Sequence, residues 1–318
     1  GAICQSTSDT EAILHLVARS TKGRIIDRFI DGLRALEGAY ALVALTNKKL
    51  IGARDPLGIR PLMLGELNGS YIVSTDNREV IDIFYNKVNT YRLAGRIGIP
   101  IPLTFYPASR DTLDNADIPF PCIVKPAVMY DFYRKAGKKV FLCRDRGELI
   151  DAYDRALKII PASEIIIQEV IPGDGRNQFS ACFLFIGGRS FVKLTACRLR
   201  QHPVDFGNAT TYAEVSDQNE PGDYGERLLS AASYNGLCEV EFKRDARDGV
   251  FKLLEVNPRT WKWHSIAEKA GTPFIPLWFE FLRGEPIEPV TGYELASFCH
   301  AATDIPMRLA LLFRGAGY

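Results

Sequence analysis

The stretch that most constrains the fold runs from Cys238 to Arg259, CEVEFKRDARDGVFKLLEVNPR. Two alternating apolar runs, CEVEF and VFKLLEV, flank the turn-forming RDARDG, and Asp248-Gly249 suits a tight connection between antiparallel strands. A hairpin is predicted. Successive side chains on a strand point to opposite faces, so Glu241 on the first strand and Glu255 and Asn257 on the second can share one face. Two carboxylates and an amide oxygen make a poor core but a good site for a hard cation such as Mg²⁺, which takes oxygen ligands and bridges phosphates. An amphipathic hairpin with a solvated acidic face fits the stretch equally well, and the rest of the chain has to decide.

Upstream the pattern changes twice. Thr7-Ser8-Asp9-Thr10-Glu11 reads as a helix cap, Ile13, Leu14, Leu16 and Val17 follow at helical spacing, and a second amphipathic helix runs from about Ile25 to Leu36. Short strands follow: AYALVALTN, KLIGARDP, PLMLGEL and SYIVS, separated by the turns NKK, DPLG and NG. Helical spacing resumes through Val80, Ile81, Ile83, Phe84, Val88, Tyr91 and Leu93 and ends at Gly98, before Pro100 and Pro102 impose an extended chain. Strands and helices then alternate through PCIVKPA, KKVFLC, a helix from about Arg146 to Ile160, EIIIQEVI, FSACFLFI, SFVKLTACRLR and a helix from about Asp223 to Asn235. The expectation is an α+β protein with two domains, residues 1–74 and 75–318.

Composition removes several function classes. A formal net charge of +1 over 318 residues carries neither a nucleic-acid footprint nor an acidic tail. Seven scattered cysteines without a CxxC pair predict neither a disulfide framework nor a zinc site, and suit the cytoplasm. No apolar run reaches bilayer length and no leader opens the chain, so no membrane partner is expected. The first residue is Gly1 rather than Met, which reads as a start inside a domain.

TSDTEAILHL, GAYALVAL and ARDPLGIRPLMLG, in that order, resemble the latter part of the class II glutamine amidotransferase domain of the glutamine phosphoribosylpyrophosphate amidotransferases. The resemblance implies a partial Ntn-type α-β-β-α sandwich over residues 1–74, with Asp9 as the vestigial acid that holds the glutamine amino group. The family's nucleophile is an N-terminal cysteine. Cys4 sits just before the helix cap and is expected to be an ordinary buried thiol, so the chain is expected neither to hydrolyse glutamine nor to make phosphoribosylamine.

PCIVKPA, IIIQEVIPG, LTACRLRQHPVDFG and EFKRDARDGVFKLLEVNPR resemble the ATP-grasp superfamily, in particular carboxylate-amine ligases related to the carbamoyl-phosphate synthase large subunit. A C-terminal ATP-grasp fold is implied. Lys125 ends an apolar strand and can place a point charge on a nucleotide phosphate; Lys87 resembles the family's other phosphate-side lysine. The segment from Val128 to Lys139, with Arg134, Lys135, Gly137, Lys138 and Lys139, resembles the mobile loop that closes over the phosphates. Gln168, Glu169, Val170 and Ile171 read as a strand-to-loop hinge that can present backbone donors and acceptors to the adenine edge, with Glu169 expected to take the exocyclic amine and Asp174 a ribose hydroxyl. Arg198 and Arg200 alternate onto one face, where both could reach a γ-phosphate or a substrate carboxylate. Arg259 follows the candidate ligand Asn257 and could hold an acyl phosphate or substrate. His202 and His264 lack metal-ligand spacing and read as structural or substrate-loop residues.

The implied activity is an ATP- and Mg²⁺-dependent ligase that activates a small carboxylate as an acyl phosphate for attack by an amine or ammonia. Gly207, in the loop HPVDFGNATT, is expected near the acid. Two other readings stand beside it: a non-catalytic ATP-binding protein, and a fragment derived from an amidophosphoribosyltransferase of purine biosynthesis. A separate glutaminase partner or a homo-oligomer would suit the ligase.

Overall fold

The computed structural model describes residues 9–36, 40–46, 48–56, 62–67, 70–74, 83–114, 116–202 and 209–313. It divides into two compact units, Gly1–Thr75 and Asp76–Tyr318. The first unit contains α1 (Asp9–Arg19), α2 (Ile25–Leu33) and the strands β1 (Ala41–Leu45), β2 (Leu50–Arg54), β3 (Met63–Leu67) and β4 (Ser70–Ser74). Ile13, Val17, Phe29 and Ile51 are its buried core. The helices cross closely at Gly32, where a Cβ would stand 3.1 Å from Val17. The strands form two separate antiparallel ladders, β1 with β2 and β3 with β4.

The second unit is built on two antiparallel sheets. The smaller has the order β5-β8-β6-β7, from β5 (Thr104–Phe105), β6 (Cys122–Pro126), β7 (Phe141–Cys143) and β8 (Ile165–Glu169). The larger has the order β13-β12-β9-β10-β11-β14, from β9 (Gln178–Ile186), β10 (Arg189–His202), β11 (Ala209–Val215), β12 (Gly236–Arg244), β13 (Phe251–Asn257) and β14 (Ser297–Cys299). Helices α3 (Lys87–Arg96), α4 (Met129–Ala136), α5 (Arg146–Leu157), α6 (Glu220–Ala231), α7 (Ser265–Lys269), α8 (Phe274–Leu282) and α9 (Ala301–Phe313) complete it. Among the described residues no helix is long and apolar enough to cross a membrane.

Both faces of the larger sheet carry apolar side chains. Phe183, Cys238, Val240, Phe242 and Leu253 pack on one face with Ala94 of α3 and Leu228 and Leu229 of α6. On the other, Cys182, Leu184, Leu194 and Leu237 pack with Trp261, Trp263 and Phe274. Period-two alternation puts Glu239 and Glu241 on this second face, between the core positions Cys238, Val240 and Phe242.

Two expectations are corrected here. The helix read continuously through Leu93 is interrupted at Asn86: residues 83–85 are helical, and α3 begins anew at Lys87, where the Asn86 side-chain oxygen accepts from the Val88 N–H at 3.0 Å. Val80 and Ile81 lie outside the described residues. The segment Val128 to Lys139 is mostly helix rather than loop, because the fully buried Phe132 packs edge-on against Phe141 with ring centroids 5.4 Å apart. Gly137 closes this helix in the left-handed conformation, φ +67°, which glycine adopts without strain. Cys4 and Gly207 are outside the described residues, and Asp9 is the first residue of α1.

Candidate functional site

The hairpin forms as the sequence predicts, and a bulge gives it its chemistry. Glu241 lies directly across from Glu255 and Glu239 across from Asn257, but Phe242 pairs with Leu253, leaving Leu254 extra. Strict alternation from the core residue Leu253 would send Glu255 into the same core. The extra residue resets the parity, so Leu253 and Val256 stay buried while Glu255 and Asn257 face the same side as Glu239 and Glu241. The Leu254 carbonyl accepts from the Tyr91 hydroxyl of α3 at 2.7 Å.

Charges converge on this face from three elements. Lys87, the first residue of α3, reaches Glu255 at 3.2 Å, and Arg198 of β10 pairs with Glu241. Asn257 donates to Glu241 at 3.0 Å and Glu239 at 3.3 Å, while its oxygen accepts from Arg259 at 3.2 Å. Against burial, which works to raise it, Lys87 and Lys139 pull the Glu255 carboxyl down to about 2. Glu239 behaves oppositely: burial and the neighbouring Glu241 push it up to about 7. Its other contact is Ser180, which donates at 2.9 Å.

Lys125 approaches from the smaller sheet. It is buried, and its ammonium donates to the Tyr91 hydroxyl at 2.7 Å and to the Gln168 side-chain oxygen at 2.6 Å. Neither partner is an acid. Burial and repulsion by Lys87 therefore lower it to about 7. Lys87, which has an acid partner, stays above the usual lysine value in spite of its burial.

Between these groups lies a cavity of about 520 Å³, in the size range of small-molecule sites. Lys87, Lys125 and Lys139, the carboxylates Glu241 and Glu255, and the hinge Gln168 to Gly175 all line it. Gly175 is required there, because a Cβ would stand 2.1 Å from the Leu199 carbonyl of β10.

Several predicted site residues play different parts from those expected. Lys139 lines the cavity and Lys138, which is exposed, does not. The Glu169 carboxylate accepts from the Leu103 N–H at 2.8 Å, from Lys252 at 3.0 Å and from Arg247 at 2.6 Å, so it is occupied by the protein and does not wait for an exocyclic amine. Backbone at Val170 and Ile171 still borders the cavity. Asp174 is exposed and accepts from the Arg176 N–H at 2.8 Å, capping a short 3₁₀ turn beside the cavity. Arg198 and Arg200 take different partners: Arg200 binds Asp304 of α9 through two bonds of 2.8 Å. Arg259 is exposed beside Asn257, and His264 holds the Trp261 carbonyl at 2.9 Å. Sequence reasoning missed Tyr91, Glu239 and Asp304. Glu239 shares the strand parity of Glu241 and was readable; nothing in the sequence linked Asp304 to Arg200.

Among the described residues no three His, Cys, Asp or Glu side chains gather closely enough to hold a metal by themselves. The candidate set of Glu241, Glu255 and Asn257 is all oxygen, and cations already stand against both carboxylates as Lys87 and Arg198. That chemistry fits Mg²⁺, which uses one or two carboxylates and completes its shell with phosphate oxygens and water.

The chain has the fold of the ATP-grasp ligases. It resembles the biotin carboxylase of Campylobacter jejuni in its β,γ-ATP complex, with TM-score 0.57 and 16% identity, over 68% of this chain and 50% of that one. It also resembles an ADP complex of N5-carboxyaminoimidazole ribonucleotide synthetase, with TM-score 0.55 and 14% identity, over 74% and 61%. Phosphoribosylamine–glycine ligase of Thermotoga maritima gives TM-score 0.53 and 19% identity, over 69% and 59%. The N-terminal residues have a different relationship. Residues 1–81 match the glutamine amidotransferase domain family, and 76 residues are 59% identical to the amidophosphoribosyltransferase of Rhizobium etli, covering 24% of this chain and 15% of that enzyme. The Bacillus subtilis amidophosphoribosyltransferase is 40% identical over 76 residues, 24% and 16%. The chain thus spans about one sixth of the curated relatives it matches.

Proposed function

We propose that this protein is an ATP- and Mg²⁺-dependent ligase that activates a small carboxylate as an acyl phosphate for attack by an amine or ammonia. The observation that carries the reading is a cavity of about 520 Å³ whose lining brings together Lys87, Lys125, Glu241 and Glu255. Bound at Glu241, Glu255 and Asn257, Mg²⁺ would neutralise phosphate charge during transfer of the γ-phosphoryl group. A phosphate oxygen would give Lys125 the anionic acceptor that its ammonium lacks, and Lys87 would move between Glu255 and phosphate. Tyr91 and Gln168 orient the Lys125 ammonium. Hinge backbone beside Val170 and Ile171 would border the adenine, Asp174 would accept from a ribose hydroxyl, and Lys139 with α4 would shield the phosphates from water. Arg259 would hold the acyl phosphate or the acid. The likeness to carbamoyl-phosphate synthase relatives is part of this proposal, as are a glutaminase partner or self-association.

A screen of amino acids and small carboxylates with ATP, Mg²⁺ and hydroxylamine tests it, since hydroxylamine captures an acyl phosphate as a hydroxamate. Hydroxamate and ADP with at least one acid support the ligase. Neither product from folded, ATP-bound protein refutes it. The ion pairs that already engage Glu241 and Glu255 favour a second reading, an ATP-binding protein without turnover, and that second outcome would establish it.

For residues 1–74 we infer descent from an amidophosphoribosyltransferase of purine biosynthesis, with Asp9 at the glutamine amino group. Residues 1–318 alone should release no glutamate from glutamine, because the resembled chemistry needs an N-terminal cysteine. Release abolished by Cys4→Ala would overturn this. We also propose a cytoplasmic location, the compartment that seven scattered cysteines without a CxxC pair would suit.

A further inference from the structure

Arg200 borders the cavity, and its guanidinium is fixed so that one edge is left over. Nε and Nη2 each donate to an oxygen of Asp304 at 2.8 Å, and the Tyr212 ring lies 4.0 Å from the guanidinium carbon. Asp304 is itself anchored. It is 2% exposed, Thr211 donates to it at 2.8 Å, and its N–H meets the His300 carbonyl at 2.9 Å. Tyr212 is held in turn, donating to Glu214 at 2.6 Å.

A guanidinium carries five N–H donors in a planar fork with two bidentate edges, one at Nε and Nη2 and one at Nη1 and Nη2. Asp304 takes the first. The second has no protein acceptor among the described residues, and the side chain keeps 23% exposure. A fork whose plane is set by a ring and whose inner edge is tied to a buried carboxylate is organised to receive a second two-oxygen anion.

We propose that Asp304 and Tyr212 are positioning residues that lock Arg200 so that its outer edge receives a bidentate oxyanion in the cavity. This rests on the ligase reading, which offers two sources of that anion: the carboxylate of the acid substrate and the γ-phosphoryl group of ATP. On this account β11 and α9 are working parts of the site. Nothing in the Arg200 sequence neighbourhood reveals this, since Asp304 lies 104 residues away.

The test uses the full chain with three probes, ADP, a non-hydrolysable ATP analogue and acetate, each titrated calorimetrically with Mg²⁺ present. Asp304→Asn should weaken either acetate or the ATP analogue by about tenfold, as expected for losing one well-set bidentate contact, and leave ADP within about twofold. Loss of acetate names the substrate carboxylate; loss of the analogue relative to ADP names the γ-phosphoryl. Tyr212→Leu should act in the same direction, and Asp304→Glu should recover part of the loss. The slow solvent exchange of the Arg200 Nε–H, read by NMR, should disappear in Asp304→Asn and persist in Asp304→Glu. Unchanged affinities in both Asp304→Asn and Tyr212→Leu would overturn the inference, as would an equal fall for ADP, which marks a merely structural role. Should the protein bind no nucleotide, the ligase reading falls, and the acetate arm alone decides: weakening in Asp304→Asn sustains the receptor, and no acetate binding at all refutes it.

Discussion

The two ends of the β12–β13 hairpin hold the same kinds of charge and use them differently. At the turn, the fully buried Asp245 accepts from Arg247 and pairs with Lys252 at 2.8 Å, and both cations also reach Glu169. Each acid there has two cations and backbone donors, led for Asp245 by Arg247, which holds its carboxyl well below the usual range. At the open end Glu241 pairs with Arg198 and Glu255 with Lys87, while among the described residues Glu239 stands in no ion pair and the partners of Lys125, Tyr91 and Gln168, are not acids. Saturated charge at the turn fixes the hinge to the hairpin. Unsaturated charge at the open end is what a metal and phosphates can complete.

The largest effect that would break this comparison is on stability. Asp245→Ala removes a buried acid from under Lys252 and Arg247 and should cost about 3 kcal/mol, as removal of one partner of a buried pair does. Denaturant unfolding measures it. A loss under about 1 kcal/mol would show that the turn network is as loose as an exposed pair.

Next in size is Lys125→Met, which should weaken ATP by roughly tenfold to a hundredfold, the worth of a hydrogen bond to a charged group, while the fold survives. An ATP affinity equal to wild type would place the phosphates elsewhere.

The pH dependence sharpens the contrast between the two lysines. Burial holds Lys125 at about 7 in the folded chain, below its usual 10.5. The unfolded state therefore binds more protons between those values, so this lysine opposes folding by its full amount below pH 7, and stability rises as pH climbs from about 7 toward 10.5. Phosphate should return the proton: ATP binding above pH 7 should take up protons, and affinity should fall as pH rises. Calorimetry in buffers of different ionisation enthalpy reads the uptake, and Lys125→Met should abolish it.

The smallest effect separates neighbours. Lys139→Ala should weaken ATP severalfold and Lys138→Ala by less than about twofold, because only Lys139 borders the cavity. Equal effects would favour the sequence-based placement of Lys138.

Much of this hairpin was legible, because period-two alternation and Asp-Gly at the turn specify two strands and put Glu255 and Asn257 on one face; the bulge is what brings that face round to Glu241. The bulge was not read from the sequence: which of Leu253, Leu254 and Val256 enter the core, a spacing of three that breaks the alternation, emerges only from the packing. What escaped was partnership over distance. Glu169 reads as a free acid until Arg247 and Lys252 arrive from 78 and 83 residues away. Val128 to Lys139 reads as a basic loop until Phe132 finds Phe141, because burial and not propensity decides so short a helix. Local pattern sets the element; which charges remain unpaired is fixed only when the sheets meet.

Mg²⁺ and ATP together should complete the open end of the hairpin. Calorimetric titration of ATP with and without Mg²⁺, on wild type and on the double variant Glu241→Gln with Glu255→Gln, tests it most directly. Wild type should bind ATP at least about tenfold more tightly with Mg²⁺ present, and the double variant should lose that difference while keeping its fold by circular dichroism. The same Mg²⁺ enhancement in both proteins would contradict the claim.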